Sequence, residues 1–266
     1  MRRCRPWLGT LVEIEADEAA AIEAGFHAVE RIHRLMSAHE PDSELSRLNR
    51  GQRVALSPDT RAVMDRALFW FRASNGLFDP AVAGRRAIAR GALPLHPGQA
   101  RPEADLTALA FARDMAWLER PACLDLGGIA KGHAIDAAAA AMRAAGARRG
   151  LVNAGGDLFA FGGPQPVDVV DPKSRSSRLR ILLDGRALAT SAGLAKGQGL
   201  DFGHLPGNRW ASVSVEAACA IDADALTKIA IAGHPRTAEL LDLADARAVA
   251  IAHDGMVVEL GIRAAA

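Results

Sequence analysis

Apolar and polar residues alternate from Leu8 to Glu15, which predicts a strand with one buried face. From Ala19 to Ser37 the spacing changes. Ile22, Phe26, Val29, Ile32, Leu35 and Met36 fall on one side of a 3.6-residue period, the pattern of an amphipathic helix. Ser57-Pro58 supplies a cap and a first-turn proline for a second helix that runs to Asn75-Gly76. Residues 81–121 are rich in Arg, Pro and Gly and read as loops with short elements. Ala122 to Leu126 is a short apolar run, expected as a strand, that enters the pair Gly127-Gly128. A helix is expected from about Lys131 to Gly146, a glycine placed to take the left-handed backbone that closes helices. A second strand follows and ends at Gly155-Gly156. Leu179–Leu183 and Trp210–Val215 are expected as strands, Asp222–Ala232 and Pro235–Leu243 as helices. Val249–His253, Asp254-Gly255 and Met256–Leu260 form a hairpin pattern. The elements alternate in kind with no repeat and no clear linker, so the chain reads as a mixed α+β protein.

Composition narrows the classes. Half of the 266 residues are hydrophobic, enough for a large core in one large domain spanning 1–266 or in two intimately packed lobes. Lys plus Arg number 32 and Asp plus Glu 31, which argues against a nucleic-acid partner. No window approaches the roughly 18 apolar residues of a membrane span, so membrane insertion is not expected. The first residues are charged but lack the apolar run of a signal peptide, and there is no lipobox. A cytoplasmic protein is the expectation. Cys4, Cys123 and Cys219 are odd in number and far apart, unlike a zinc site or a disulfide framework. Tyrosine is absent altogether.

The candidate chemistry sits between Asp125 and Asp157. Two glycine pairs, a helix start and Lys131 combine unpaired N–H groups, close backbone approach and a mobile cation. That is the chemistry of a nucleotide phosphate site, although a glycine pair before a helix is also an ordinary tight turn. The order of residues fits neither the Walker A loop nor the Rossmann fingerprint.

An ordered set of segments carries a family resemblance. Leu8-Gly9-Thr10, Met36-Ser37, Asp42-Ser43-Glu44-Leu45, Leu48-Asn49 and Gly76-Leu77-Phe78-Asp79-Pro80 come first. Asp125 to Asp136, Gly155-Gly156-Asp157, Ala189-Thr190-Ser191 and Asp224-Ala225-Leu226-Thr227 follow. From Leu8 to about Gly233 the chain resembles the ApbE-type FAD:protein FMN transferases. The resemblance implies a compact mixed α/β unit of the T-fold-related, ApbE-like type, with a cleft between two lobes. It also implies transfer of FMN from FAD to a Ser or Thr hydroxyl of an acceptor protein, with release of AMP and help from magnesium.

Roles follow from the same resemblance. Leu8, His39, Leu77, Phe78, Asp79, Asp125, Lys131, Gly155, Gly156, Thr190 and Ser191 match positions on the FAD side. Gly128, Asp224 and Thr227 match the metal positions, with Asp224 also catalytic, and His204 is the candidate base. Plainer roles stand beside these: a turn for Asp125, core packing for Phe78, a helix cap for Asp224, a surface position for His204.

The chain also departs from the family pattern. Lys228 stands where relatives carry a second hydroxyl, either replacing metal charge on the diphosphate or reaching away to solvent. The segment around His204 is shorter and lacks its acidic residue. His39 and His133 stand at tyrosine positions, Leu8 at a methionine and Ala81 at a threonine. Competing expectations are therefore an FAD-binding relative with weak or lost transfer, an FAD pyrophosphatase, and a non-catalytic partner protein.

Overall fold

The computed structural model of the protein describes residues 1–95, 101–192 and 210–261. The chain begins with β1 (Arg2–Trp7), β2 (Thr10–Ala16), α1 (Ala19–Met36), α2 (Glu44–Asn49), β3 (Val54–Ala55), α3 (Pro58–Ala73) and α4 (Pro80–Ala89). It continues with β4 (Leu109–Ala112), β5 (Met115–Leu118), α5 (Ala130–Ala144), β6 (Gly150–Ala154), β7 (Asp157–Phe161), β8 (Gln165–Val170) and β9 (Ser177–Leu183). Then come β10 (Arg186–Ala192), β11 (Trp210–Ala217), α6 (Ala220–Ile231), α7 (Thr237–Leu243), β12 (Arg247–Ala252) and β13 (Val257–Leu260).

One antiparallel sheet organises the molecule, in the order β1-β2-β6-β7-β10-β11-β12-β13. The helices α1, α5 and α6 pack on one face, where Ile22, Phe26, Ile135, Met142, Leu226 and Ile229 meet Val12, Ile14, Val152 and Val213. The opposite face is partly covered by the β8–β9 hairpin, whose Val169 and Leu183 meet Leu158, Ala160 and Leu188. β7 is therefore buried on both sides: Phe159 and Phe161 face the helices, Leu158 and Ala160 the hairpin.

Local signals placed most helices correctly. Ser57 caps α3 by accepting the Thr60 N–H, with Pro58 in the first turn. Gly146, at φ +93°, follows α5 as expected. Other expectations need correction. β1 precedes the expected first strand, which starts at Thr10 rather than Leu8 because Leu8-Gly9 forms the turn. The stretch 81–121 contains a ten-residue helix, α4, started by Asp79, whose carboxylate accepts the Ala81 N–H at 2.8 Å.

Ala122 to Leu126 belongs to no sheet, contrary to the strand expectation. Its backbone is satisfied by a side chain instead. The Asn49 amide donates to the Leu124 carbonyl at 2.9 Å and accepts the Leu124 N–H at 2.8 Å. The next N–H, of Asp125, goes to the Pro80 carbonyl at 2.9 Å. An amide side chain carries the same donor and acceptor as a peptide, so one asparagine replaces a neighbouring strand.

Candidate functional site

Three of the segments singled out in the sequence, Leu8-Gly9-Thr10, Gly155-Gly156-Asp157 and Thr190-Ser191, meet at one end of the sheet. β2 begins there, β6 ends, β7 begins and β10 ends. Leu8-Gly9 and Gly155-Gly156 are both two-residue hairpin turns, with φ of 57°, 71°, 66° and 101° in chain order. The turns are neighbours: a Cβ on Gly155 would lie 2.5 Å from Thr10 Oγ1. The second glycine pair thus has a structural role, because the first member has no room and both need positive φ. Leu8 holds positive φ with a side chain, at a strain of about 1 kcal/mol.

Immediately after the glycine pair, Asp157 starts β7 and is buried. It accepts the Thr190 N–H at 2.9 Å and pairs with Lys131 of the first turn of α5. Burial, and then the neighbouring charge of Asp224, push the Asp157 carboxyl above its ordinary range, while Lys131 pulls the other way. Burial works against the Lys131 charge, but Asp224 and Asp157 outweigh it and hold the ammonium above its usual value.

The second half of the site comes from α6. Its own first residues offer no side-chain cap; Asp136 of α5 supplies one, accepting from Ala220 at 2.7 Å and Ile221 at 2.9 Å. Asp222 is bound to α3, through Arg66 and the Trp70 indole N–H at 2.8 Å. Asp224 is no helix cap. It lies one turn into the helix, fully buried, where it accepts the Gly132 N–H at 3.2 Å. That N–H is one of the unpaired donors at the start of α5, so a carboxylate of the protein itself takes part of the helix end expected to hold phosphate.

Lys228 donates to Asp224 Oδ1 at 2.5 Å and to Thr227 Oγ1 at 3.1 Å. Thr227, fully buried, gives its proton to the Asp224 carbonyl at 2.7 Å, so the Ser191 hydroxyl at 2.8 Å donates to it. Gly128 packs on this lysine, since a Cβ there would lie 3.6 Å from Lys228 Cε and from Phe78 Cε2. The result is layered. The carboxylates of Asp157 and Asp224 are 2% and 0% exposed, while the Lys131 and Lys228 side chains keep 24% and 17%. Two buried anions are each paired with a lysine whose side chain is only partly buried, so the positive charge of the site lies on its less buried side chains.

The structure therefore gathers Phe78, Gly128, Lys131, Ser191, Asp224 and Thr227, and adds Asp157 and Lys228. Other expected residues have different surroundings. Asp125 is half-buried and turns onto the Gly127 N–H at 2.8 Å; Asp79 caps α4. Leu77 packs at the edge of the core. His39 is exposed, next to Ala38, which packs against Ala87 and Cys123. Thr190 sends its hydroxyl to the opposite face of the sheet from Ser191, 2.8 Å from Ser214 Oγ, and only its N–H reaches the site. His133 turns to Asp59 at 3.0 Å rather than to the site. His204 lies outside the described residues. A cavity of about 630 Å³ opens on the far face, between Ser214, Glu216, Arg247 and Glu259; none of the expected residues lines it.

Sequence reasoning passed over Asp157 and Asp136. Each is an acidic residue set against an apolar element, Asp157 before Leu-Phe-Ala-Phe and Asp136 inside an alanine-rich helix, which is the available signal that a buried partner is required.

A metal at this site would use Gly128, Asp224 and Thr227. The donors are hard oxygens, as magnesium prefers, but the Lys228 ammonium already spans Asp224 and Thr227. The residues as arranged do not fit a divalent ion. Among the described residues no three His, Cys, Asp or Glu side chains gather into a metal-binding group. Among them, too, no helix is long and apolar enough to cross a membrane.

The family model described as "ApbE family" matches residues 8–251. The FAD:protein FMN transferase of Rhodobacter capsulatus is 30% identical over 188 residues, covering 62% of this chain and 36% of that protein. The chain thus spans little more than a third of that relative's length. The flavin transferase ApbE of Vibrio cholerae superposes with a TM-score of 0.79 at 22% identity, over 98% of this chain and 96% of its own. The ApbE protein of Thermotoga maritima gives 0.83 at 22% identity, over 97% and 96%. The flavinyl transferase ApbE of Pseudomonas stutzeri gives 0.79 at 18% identity, over 97% and 94%. At such identities the superpositions establish the mixed α/β fold.

Proposed function

The chain belongs to the ApbE family, and on that premise we propose that it transfers the FMN part of FAD to a Ser or Thr hydroxyl of an acceptor protein. The observation that carries this reading is the charge cluster: buried Asp157 and Asp224, paired with the partly buried Lys131 and Lys228, beside the Gly155-Gly156 turn at one end of the sheet. A dinucleotide diphosphate is an anion of the right kind for two adjacent ammonium groups.

In the reaction, the acceptor hydroxyl oxygen attacks the phosphorus on the FMN side of the diphosphate. A new P–O ester forms, the P–O bond to the AMP phosphate breaks, and AMP leaves with the bond electrons. The hydroxyl proton passes to a base, for which His204 is the sequence candidate. Lys131 and Lys228 face the charge that builds on the diphosphate oxygens. Asp224 and Asp157 act by holding them, so they are positioning residues. Magnesium, which the family resemblance suggests, has no step here because Lys228 spans its oxygen donors.

The test is incubation with FAD and a Ser/Thr-containing acceptor, followed by chromatography for AMP and intact-mass analysis for bound FMN. AMP release matched by an FMN adduct supports transfer. AMP with equal free FMN and no adduct identifies water as the acceptor, and thus a pyrophosphatase. No binding of FAD in a fluorescence titration removes the reading altogether.

A further inference from the structure

Lys228 and a divalent ion compete for the same atoms. Its Nζ lies 2.5 Å from Asp224 Oδ1 and 3.1 Å from Thr227 Oγ1, and its stem covers Gly128. A magnesium ion bound to both oxygens would stand about 2.1 Å from each, on top of the ammonium and with the same sign of charge.

The energetics favour the lysine. Asp224 is fully buried, and an unpaired buried carboxylate is strongly destabilising. Some cation must stay with it. Lys228 is one turn further along the same helix, the spacing at which side chains meet, so it is tethered beside Asp224 whenever α6 is folded. Magnesium must instead arrive from solution and shed water, which it does reluctantly. The Thr227 hydroxyl is also committed, since its proton points to the Asp224 carbonyl and its oxygen accepts from Lys228 and Ser191.

We propose that Lys228 is the resident cation of this site: it excludes divalent metal from Asp224 and Thr227 and itself faces the diphosphate, so that FAD binds without metal. This rests on the flavin reading above for the identity of the ligand, but not for the exclusion of metal.

Two measurements on the metal-stripped protein test it. In the first, Mn2+ alone is added and free Mn2+ is followed by electron paramagnetic resonance. Wild type is expected to leave Mn2+ free, Lys228→Ser to bind it, and Lys228→Ser with Asp224→Asn to lose it again. Lys228→Arg, which keeps the charge, is expected to exclude Mn2+ as wild type does. In the second, FAD is titrated with chelator or with millimolar Mg2+. Wild type is expected to bind equally in both, while Lys228→Ser loses about tenfold in chelator, the loss of one charge contact, and recovers with Mg2+. Stoichiometric Mn2+ on wild type that disappears with Asp224→Asn overturns the proposal, as does FAD binding by wild type that requires Mg2+. The wild-type arms decide even if Lys228→Ser fails to fold. FAD bound by none of the proteins defeats the flavin reading and the diphosphate role together, while the Mn2+ arm still decides the exclusion of metal.

Discussion

The carboxylate of Asp136 caps the helix that starts at Ala220, accepting its N–H at 2.7 Å and that of Ile221 at 2.9 Å. The helix carrying Asp224, Thr227 and Lys228 is therefore started by a residue of the helix carrying Lys131. The two cations of the site are held in register by a bond that neither of them makes.

Replacing Asp136 by Ala leaves two N–H groups without their acceptor and is expected to cost about 2 kcal/mol, read from urea unfolding. Asn, which keeps one acceptor, should cost less. The pH dependence has a definite sign. Burial pushes the Asp136 carboxyl up to about 6, from 3.8. Below pH 3.8 both folded and unfolded forms hold the proton. Between 3.8 and 6 the unfolded chain loses it first, so this group's contribution falls as pH rises and levels off above pH 6. Relative to Asp136→Asn, wild type should lose up to roughly 3 kcal/mol between pH 4 and 7. A difference that stays flat, or grows with pH, contradicts the assignment.

Lys131→Met removes a partner of buried Asp157, whose carboxyl already lies above its ordinary range. At pH 7 the variant is expected to lose about 3 kcal/mol, and less at pH 5, where Asp157 takes a proton more readily. Adding Asp157→Asn should restore most of the stability. FAD affinity should fall about tenfold in both proteins, because the Lys131 charge is gone in both. Equilibrium unfolding at the two pH values and a flavin titration separate the effects.

Gly132 and Gly146 offer a controlled pair of alanine substitutions. A Cβ on Gly132 would lie 2.2 Å from the Ala220 carbonyl oxygen, a backbone atom that cannot turn aside. Gly146 has positive φ but open space around it. Gly132→Ala should separate α5 from α6 and cost about 3 kcal/mol or more, whereas Gly146→Ala should cost about 1 kcal/mol. Melting temperatures of the two variants check the order; the reverse order refutes the close helix crossing.

Asn49→Leu deletes the amide that brackets Leu124 and leaves a buried N–H and a buried carbonyl unpaired. The expected cost is about 3 kcal/mol. Because the bracketed segment leads into Asp125 and Gly128, FAD affinity should fall as well. Amide exchange should show early loss of protection at Leu124 and Asp125.

The sequence alone determined the elements whose signals are local. The α1 stripe, Ser57-Pro58 before α3, Gly146 after α5 and the Asp254-Gly255 hairpin are each specified within a few residues by side-chain period, cap or turn. It also brought forward Lys131, Asp224, Thr227 and Lys228 as a set, because the motifs kept their order. What only the tertiary structure decided depends on partners far away in the chain. Ala122–Leu126 reads as a strand by composition, but Asn49, 75 positions from Leu124, takes the hydrogen bonds a neighbouring strand would have taken. Thr190 and Ser191 are adjacent in sequence yet point to opposite faces, which matters only once α6 covers one of them. Lys228 is free to reach solvent on an isolated helix. Burial of Asp224 beneath α5 removes that freedom, because a carboxylate shut away from water must keep a cation beside it.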